Sequence, residues 1–143
     1  MRVAFKRCGG GWWDTRGVAH PIVSTPRLEA AMVRIRPLAM ALPGVVEKLS
    51  HGTPTFFTAA GSKGRTFASV HDEREWGEGR LCLWAAGPRE LQEALVADGP
   101  ERFFVPPYVG HRGWVGLRLD LDEVDWDEVA GVIEDAYAFI AER

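Results

Sequence analysis

The feature that most constrains the fold is a change in the sequence pattern at Pro43-Gly44. Apolar residues before it recur at helical spacing, whereas short β-rich pieces follow it, separated by polar connections that contain glycine. We predict a helix followed by antiparallel strands. Two of the connections, Gly61–Gly64 and His71–Gly79, have the composition of hairpin turns and should project from the sheet as wings. The predicted strands are 45–49, 55–59, 66–70 and 80–84.

Three helices are predicted from their first residues and from their apolar spacing. Thr25 is a suitable N-cap for the first, although Pro37 should kink or divide it. Gly87-Pro88 opens the second, and Asp125 caps the third. With their caps, the predicted helices cover 25–42, 88–97 and 125–142. Their predicted apolar faces are Leu28, Ala31, Met32, Ile35, Ala39 and Leu42; Leu91, Leu95 and Val96; and Val129, Val132, Ile133, Ala136, Tyr137 and Ile140.

The order of these elements predicts the fold class. Further strands are expected at Phe103–Val105 and Trp114–Leu119, on either side of a proline-rich turn. This order is typical of a two-layer α+β domain, in which helices pack on one face of an antiparallel sheet of about five strands. Residues 1–24 show neither the helical nor the strand spacing of apolar residues. We therefore interpret them as an extension with Trp12 and Trp13 as docking anchors, and 25–143 as one domain.

Length and charge narrow the function classes. A chain of 143 residues with 46% apolar side chains suits one globular domain. Its net charge of −3 does not favour DNA as a partner, because counterion release needs cations placed along the phosphates. The acids crowd into residues 120–135, however, so a dipolar surface can leave the remainder near neutral. No apolar run is long enough to span a membrane, and the N-terminus lacks the apolar core of a secretion signal, so the cytoplasm is expected.

Catalytic and metal chemistry have little support in the sequence. Cys8 and Cys82 lack the spacing of zinc ligands. His51, His71 and His111 fall in three separate predicted loops, and no Ser or Cys lies in a nucleophile motif. We therefore predict a protein that is not an enzyme, with no catalytic residues, no metal site and no cofactor.

Five short motifs carry a resemblance to a known family. They are ALPGVVE at 41–47, HGTPTFF at 51–57, RTFA at 65–68, PPYVGHRGWVGL at 106–117 and AYAFI at 136–140. In this order and spacing the chain resembles the YjbR/MmcQ family over about residues 27–140. The resemblance implies a compact α+β fold similar to frataxin-like (CyaY-like) and secretion-chaperone-like domains. It also implies a DNA-binding role through a double-wing surface.

The chain departs from the family pattern mainly in charge. Trp84 stands where the strand commonly ends in Lys, and Ala136 stands where a Ser often precedes the tyrosine of the last helix. The first predicted wing is basic, whereas the second is acidic overall. The acidic residues of the second wing are Asp72, Glu73, Glu75 and Glu78.

The first group of candidate contact residues lies in predicted turns. Lys63 and Arg65 are predicted to touch phosphates from the tip of the first hairpin, although charged hairpin tips also serve solubility. His51 is a further candidate, or else a residue that hydrogen-bonds its own turn beside Gly52 and Pro54.

The second group lies in the proline-rich loop. His111, Arg112 and Trp114 combine an exposed cation with an aromatic platform, and Arg112 is the strongest candidate for a ligand contact. Tyr108 and Phe104 would extend a groove in which bases stack, although core and loop packing is the favoured interpretation of these aromatics.

Two functions remain open at this point. The first is a non-enzymatic DNA-binding protein that uses the Lys63 and Arg65 hairpin together with the loop at 108–114. The second is a small-ligand or protein-interaction module that uses the Pro106–Trp114 loop without nucleic acid. Both a monomer and a homodimer are compatible with the sequence, because antiparallel edge strands permit pairing without requiring it.

Overall fold

The computed structural model describes residues 24–74 and 77–143, together with the backbone of three short strands nearer the N-terminus. These strands, β1 (Phe5–Cys8), β2 (Gly11–Asp14) and β3 (Ala19–His20), pair antiparallel in a small sheet of their own. Strands therefore form in a segment whose apolar pattern shows no strand period. The side chains of Trp12 and Trp13, predicted as docking anchors, lie outside the described residues.

The main sheet has six strands rather than about five, in the order β4-β5-β6-β7-β9-β8, and every neighbouring pair is antiparallel. The shortest strand is β8, which is two residues long and lies within the strand expected at Phe103–Val105. The strands are β4 (Val46–Ser50), β5 (Thr53–Phe57), β6 (Thr66–Asp72), β7 (Leu81–Ala85), β8 (Phe103–Phe104) and β9 (Val115–Arg118).

Three helices complete the domain, and the predicted α+β class is confirmed. They are α1 (Pro26–Met40), α2 (Arg89–Asp98) and α3 (Trp126–Ala141). Helices α1 and α3 pack against each other and against β6, whereas α2 contacts β8 and β9. No helix in the described parts of the chain has the length and apolar character needed to cross a membrane.

The two faces of the main sheet have different chemistry. The helix face carries α1 and α3, and strand alternation places the fully buried Phe56, Val70 and Leu83 there. A bulge in β6 opposite Phe56 and Phe57 lets Phe67 join the same face, where its ring meets Tyr137 of α3 edge-on at 5.5 Å. The second face carries Thr55 and Ser69 together with Cys82 and Trp84, and all four are buried.

Helix α1 begins as predicted but runs through its proline. The hydroxyl of Thr25 accepts a hydrogen bond from the backbone N–H of Leu28 at 3.2 Å. The helix continues past Pro37 to Met40, so of the two predicted effects of this proline, a kink or a division, the division was wrong. Pro37 and Val33, whose carbonyl would have accepted the missing bond, both lie on the exposed side, where solvent can replace that partner.

Candidate functional site

The antiparallel order of β5, β6 and β7 places the two predicted wings at opposite ends of the sheet. The connection 58–65 leads from β5 to β6, and the connection 73–80 leads from β6 back to β7. Ala85, the last residue of β7, pairs with Ala68 near the start of β6 and with Val115 at the start of β9. The loop before β9 therefore lies at the same end of the sheet as the first connection. We call this the loop end, formed by residues 58–65, 86–90, 105–114 and 140–143. The two wings therefore do not form one double-wing surface.

The first wing contributes two cations to the loop end in different ways. Lys63 ends a single helical turn at Gly61–Lys63 and is exposed, with no ion pair in the described part of the chain. Arg65 is also exposed, but its Nη2 donates hydrogen bonds to the backbone carbonyls of Ile140 and Arg143. Arg65 thus closes the C-terminus of α3, which the sequence pattern did not predict.

Replacing Arg65 with alanine is expected to lower the free energy of unfolding by about 1 kcal/mol, since the last carbonyls of α3 lose a charged donor. Urea denaturation of the native protein and the variant would measure this difference in the free energy of unfolding. Lys63→Ala is the matched control because Lys63 makes no such bond, and it should be neutral. Equal stability of all three proteins would contradict the capping role.

The loop at 105–114 is held to the start of α2. The amide of Gln92, only 4% exposed, donates to the carbonyls of Gly110 and Trp114. The Nη2 of Arg89 donates to the carbonyl of His111 at 2.8 Å. Gly113 has a φ of 97°, and a Cβ there would lie 2.5 Å from the carbonyl oxygen of Gly87, so only glycine fits. The loop is therefore presented in one fixed position.

The loop separates its aromatic residues between the core and the surface. Tyr108 is 81% exposed, and His111 and Arg112 are exposed beside it. Trp114 is 4% exposed and belongs to the core cluster, so the predicted surface platform at Trp114 is wrong and the packing interpretation is right. The Arg112 guanidinium lies 5.8 Å from the centre of the Trp114 ring.

The predicted groove also lacks Phe104. This side chain is half-buried on the second face, where its ring lies 3.6 Å from the guanidinium of Arg80 and over the backbone of Gly116. The groove side chain that remains exposed is therefore Tyr108 alone.

The histidines lie in three separate places. His51 is exposed in the two-residue turn between β4 and β5, at the end of the sheet opposite the loop end, so it does not join the other candidates. His71 lies inside β6 rather than in a loop, and stacks on Trp84 with ring centres 3.6 Å apart. Burial lowers its pKa to about 3. Across residues 24–74 and 77–143, no three His, Cys, Asp or Glu side chains gather closely enough to hold a metal ion.

The second wing uses its charges internally. The side chain of Asp72 is fully buried and binds Arg27 and the Thr25 hydroxyl, which joins β6 to the start of α1. Hydrogen bonding from Arg27 lowers the pKa of Asp72. Glu73, also fully buried, accepts two hydrogen bonds from Arg80. Asp72 and Glu73 are therefore structural, whereas Glu75, also predicted in this wing, lies outside the described residues.

Basic and acidic side chains are segregated between the two ends. Lys63, Arg65, Arg89 and Arg112 form no ion pair with a described carboxylate. The loop end carries these four and Arg143, against Glu90 and Glu142. The acidic end, as we call the opposite one, carries Asp72, Glu73, Glu78, Asp98, Glu101, Asp120, Asp122, Glu123, Asp125, Asp127 and Glu128, against Arg27, Arg74, Arg80, Arg102 and Arg118.

Similarity to a solved structure defines the class of domain. The chain superimposes on a Deinococcus radiodurans protein, DR2400, which contains the domain DUF419, with a TM-score of 0.64 and 20% identity. The match covers 76% of this chain and 77% of the other, so it shows a shared fold. The family model for YjbR matches residues 40–139, and the chain belongs to the YjbR family. No curated protein matches the chain.

The motifs that carried the resemblance meet in the packing beneath the loop end. The hydroxyl of Tyr137, from AYAFI, donates to the carbonyl of Pro43 in the LPG motif at 2.6 Å. Phe56 and Phe67, from the strand motifs, lie with ring centres 6.4 Å apart in the core. These apolar and tyrosine residues of the motifs therefore hold the fold together, whereas Arg65 and Arg112, which belong to two of the same motifs, are exposed at the loop end.

Sequence reasoning missed Arg89 and Gln92. Arg89 follows the predicted helix start at Gly87-Pro88, so its place at the head of α2 was available as a signal. Gln92 gave none, because a polar residue in a short helix is expected to face solvent. It is the buried residue of α2, whereas the predicted inward residues Leu95 and Val96 are only partly buried.

Proposed function

We propose that this YjbR-family protein is a non-enzymatic, cytoplasmic DNA-binding protein that contacts phosphates through its loop end. The observation that carries the proposal is the gathering of Lys63, Arg65, Arg89 and Arg112 at one end, away from carboxylate partners in the described chain. Cations that are not neutralised within the protein are available to replace counterions on a nucleic acid. The net charge of −3 is compatible with this, because the excess acid lies at the other end.

The arrangement of the four cations suits a chain of phosphates. They are carried by the connection between β5 and β6, by the head of α2 and by the loop before β9, so they belong to neighbouring segments at one end of the sheet. Strands β6 and β9 are separated by β7 alone, which places their ends about 10 Å apart. The N-terminus of α2 adds its partial positive charge beside Arg89. One strand of phosphates can therefore meet several of these groups together.

The non-enzymatic part of the proposal follows from the placement of reactive groups. Cys82 is fully buried, and burial raises its thiol pKa, so it does not supply a thiolate. His71 is half-buried and stacked on Trp84, and His51 and His111 lie at opposite ends of the sheet. A binding role uses the exposed groups that the loop end does present.

The charge-reversal variant Lys63→Glu/Arg112→Glu is expected to bind DNA about 100-fold more weakly than the native protein at low salt. Its plot of log affinity against log salt should lose about two units of slope, since two phosphate contacts are removed. Fluorescence anisotropy with labelled DNA at several salt concentrations would measure both. Arg65 is left intact because its change would also affect α3.

The matched control is Arg34→Glu/Arg74→Glu, which makes the same change in net charge away from the loop end. It should bind nearly as well as the native protein. Equal losses in both double variants would mean that net charge, rather than the loop end, governs binding. Absence of binding by the native protein at tens of micromolar and low salt would overturn the proposal.

A second candidate is a protein-interaction role for the same loop. Tyr108 and the 56% exposed Val105 offer apolar surface at its tip. This candidate is favoured if the native protein binds no DNA at low salt.

A further inference from the structure

Tyr108 is the most exposed large apolar or aromatic side chain among the described residues, at 81%. It lies at the tip of the loop, between Pro107 and Val109, within the basic loop end. Aromatic rings held in solvent beside cations are the groups on which single-strand binding proteins stack bases. The ring therefore calls for an explanation that phosphate binding alone does not supply.

The backbone at Tyr108 is one that tyrosine rarely adopts. Its φ is 66°, in the left-handed region that glycine and asparagine tolerate far better. Within residues 24–74 and 77–143, His51 is the other residue besides glycine with a positive φ. A turn built only for its shape would be served better by Gly or Asn, so the aromatic ring itself is what this position supplies.

The surrounding hydrogen bonds hold the backbone of the turn that carries Tyr108. The N–H of Gly110 donates to the carbonyl of Pro106 at 3.0 Å, and that of Val109 donates to the carbonyl of Pro107 at 2.7 Å. Gln92 anchors the far side of the loop at Gly110. The backbone beneath the ring is thus fixed before a ligand arrives, which lowers the entropy lost on binding.

Resting on the proposed function, we propose that Tyr108 stacks on an unpaired base, so that the loop end prefers single-stranded to double-stranded DNA. The phosphates that flank the stacked base would meet Arg112 and Arg89, which belong to the same loop and to the helix that holds it. A duplex hides its base faces inside the stack and offers only phosphates to this end. The chemistry recognised is a flat base beside a phosphate, without a sequence.

Three labelled ligands separate stacking from charge. They are an oligothymidylate of roughly 20 nucleotides, longer than most single-domain sites, a duplex of the same length, and a strand of that length lacking its bases. The native protein is expected to bind the oligothymidylate about tenfold more tightly than either of the others at equal salt. The base-free strand matters because it keeps the phosphates and removes only the rings.

Two variants of Tyr108 test the ring directly. Tyr108→Asn should fold with at least native thermal stability, because Asn adopts the left-handed backbone more readily. It should bind the oligothymidylate about tenfold more weakly, with an unchanged salt slope and unchanged duplex binding. Tyr108→Phe keeps the ring and should bind like the native protein.

The outcomes distinguish this inference from the proposed function. If the native protein binds strand and duplex equally, or if Tyr108→Asn affects neither, the stacking role is overturned while phosphate binding stands. If Tyr108→Phe loses as much affinity as Tyr108→Asn, the hydroxyl rather than the ring is responsible, and stacking is again overturned. If the native protein binds none of the ligands at low salt, both proposals fall together.

Discussion

Replacing Arg80 with methionine is expected to lower the free energy of unfolding by about 3–5 kcal/mol, because it leaves the carboxylate of Glu73 buried without its charged partner. Arg80 donates from Nε and Nη2 to the two oxygens of Glu73 at 3.1 and 3.3 Å. The same guanidinium lies 3.6 Å from the ring centre of Phe104, so its packing is lost as well. Chemical denaturation at neutral pH would measure the loss.

The control is a double variant that removes both charges. Glu73→Leu/Arg80→Met should recover most of the stability that Arg80→Met loses, because two apolar side chains need no partner. A loss below about 1 kcal/mol in Arg80→Met would show that Glu73 finds other donors, of which the backbone N–H of Glu78 at 3.2 Å is the nearest described.

Stability should fall steeply in mild acid because of His71. Its pKa is lowered by burial to about 3, against about 6.5 in the unfolded chain. Between pH 6.5 and pH 3, His71 is therefore protonated in the unfolded chain but remains neutral in the folded protein. The contribution of neutral His71 to the free energy of unfolding is complete above pH 6.5 and is lost as the pH falls. The free energy of unfolding should drop by about 2–3 kcal/mol between pH 6.5 and 4.5 from this residue alone.

The test compares how steeply the free energy of unfolding changes with pH in the native protein and in a His71 variant. His71→Gln keeps a polar group near the Ser69 hydroxyl, which lies 2.8 Å from the His71 ring nitrogen, but it has no proton to gain in this range. Denaturation curves at several pH values should show a flatter dependence for the variant between pH 6.5 and 4.5. The neighbouring Asp72 does not interfere with this comparison. Because its pKa is lowered, it changes the free energy of unfolding at more acidic pH, and it does so in both proteins. Parallel slopes would mean that His71 is protonated in the folded state.

Elements defined by local chemistry were predictable from the sequence. Asp125 caps α3 as expected, accepting hydrogen bonds from the N–H groups of Asp127 and Glu128. The apolar period of α1 identified its buried residues from Leu28 to Ala39, because helical spacing fixes which side chains share a face. Strand bounds shifted by one or two residues, since the ends depend on pairing partners elsewhere in the chain.

The site was less predictable because its geometry comes from tertiary contacts. Lys63 was correctly placed in an exposed turn, but the bonds from Arg65 to the end of α3 join residues 75 and 78 positions apart. Burial of Trp114 likewise depends on the sheet to which it leads. The family resemblance predicted the fold well because most of its motif residues are packing residues. It named Arg65 and Arg112 but not Arg89, which lies outside the motifs.

Under the proposed function, the segregation of charge between the two ends also limits how the protein could assemble on DNA. A polyanion attracts the loop end and repels the acidic end, so the molecule should approach end-on and arrive already oriented. The outward side of a bound molecule then presents the acids of α3 and of the connection before it. In the proposed role, a single copy bound in this way would cover the nucleic acid with negative charge rather than link two strands.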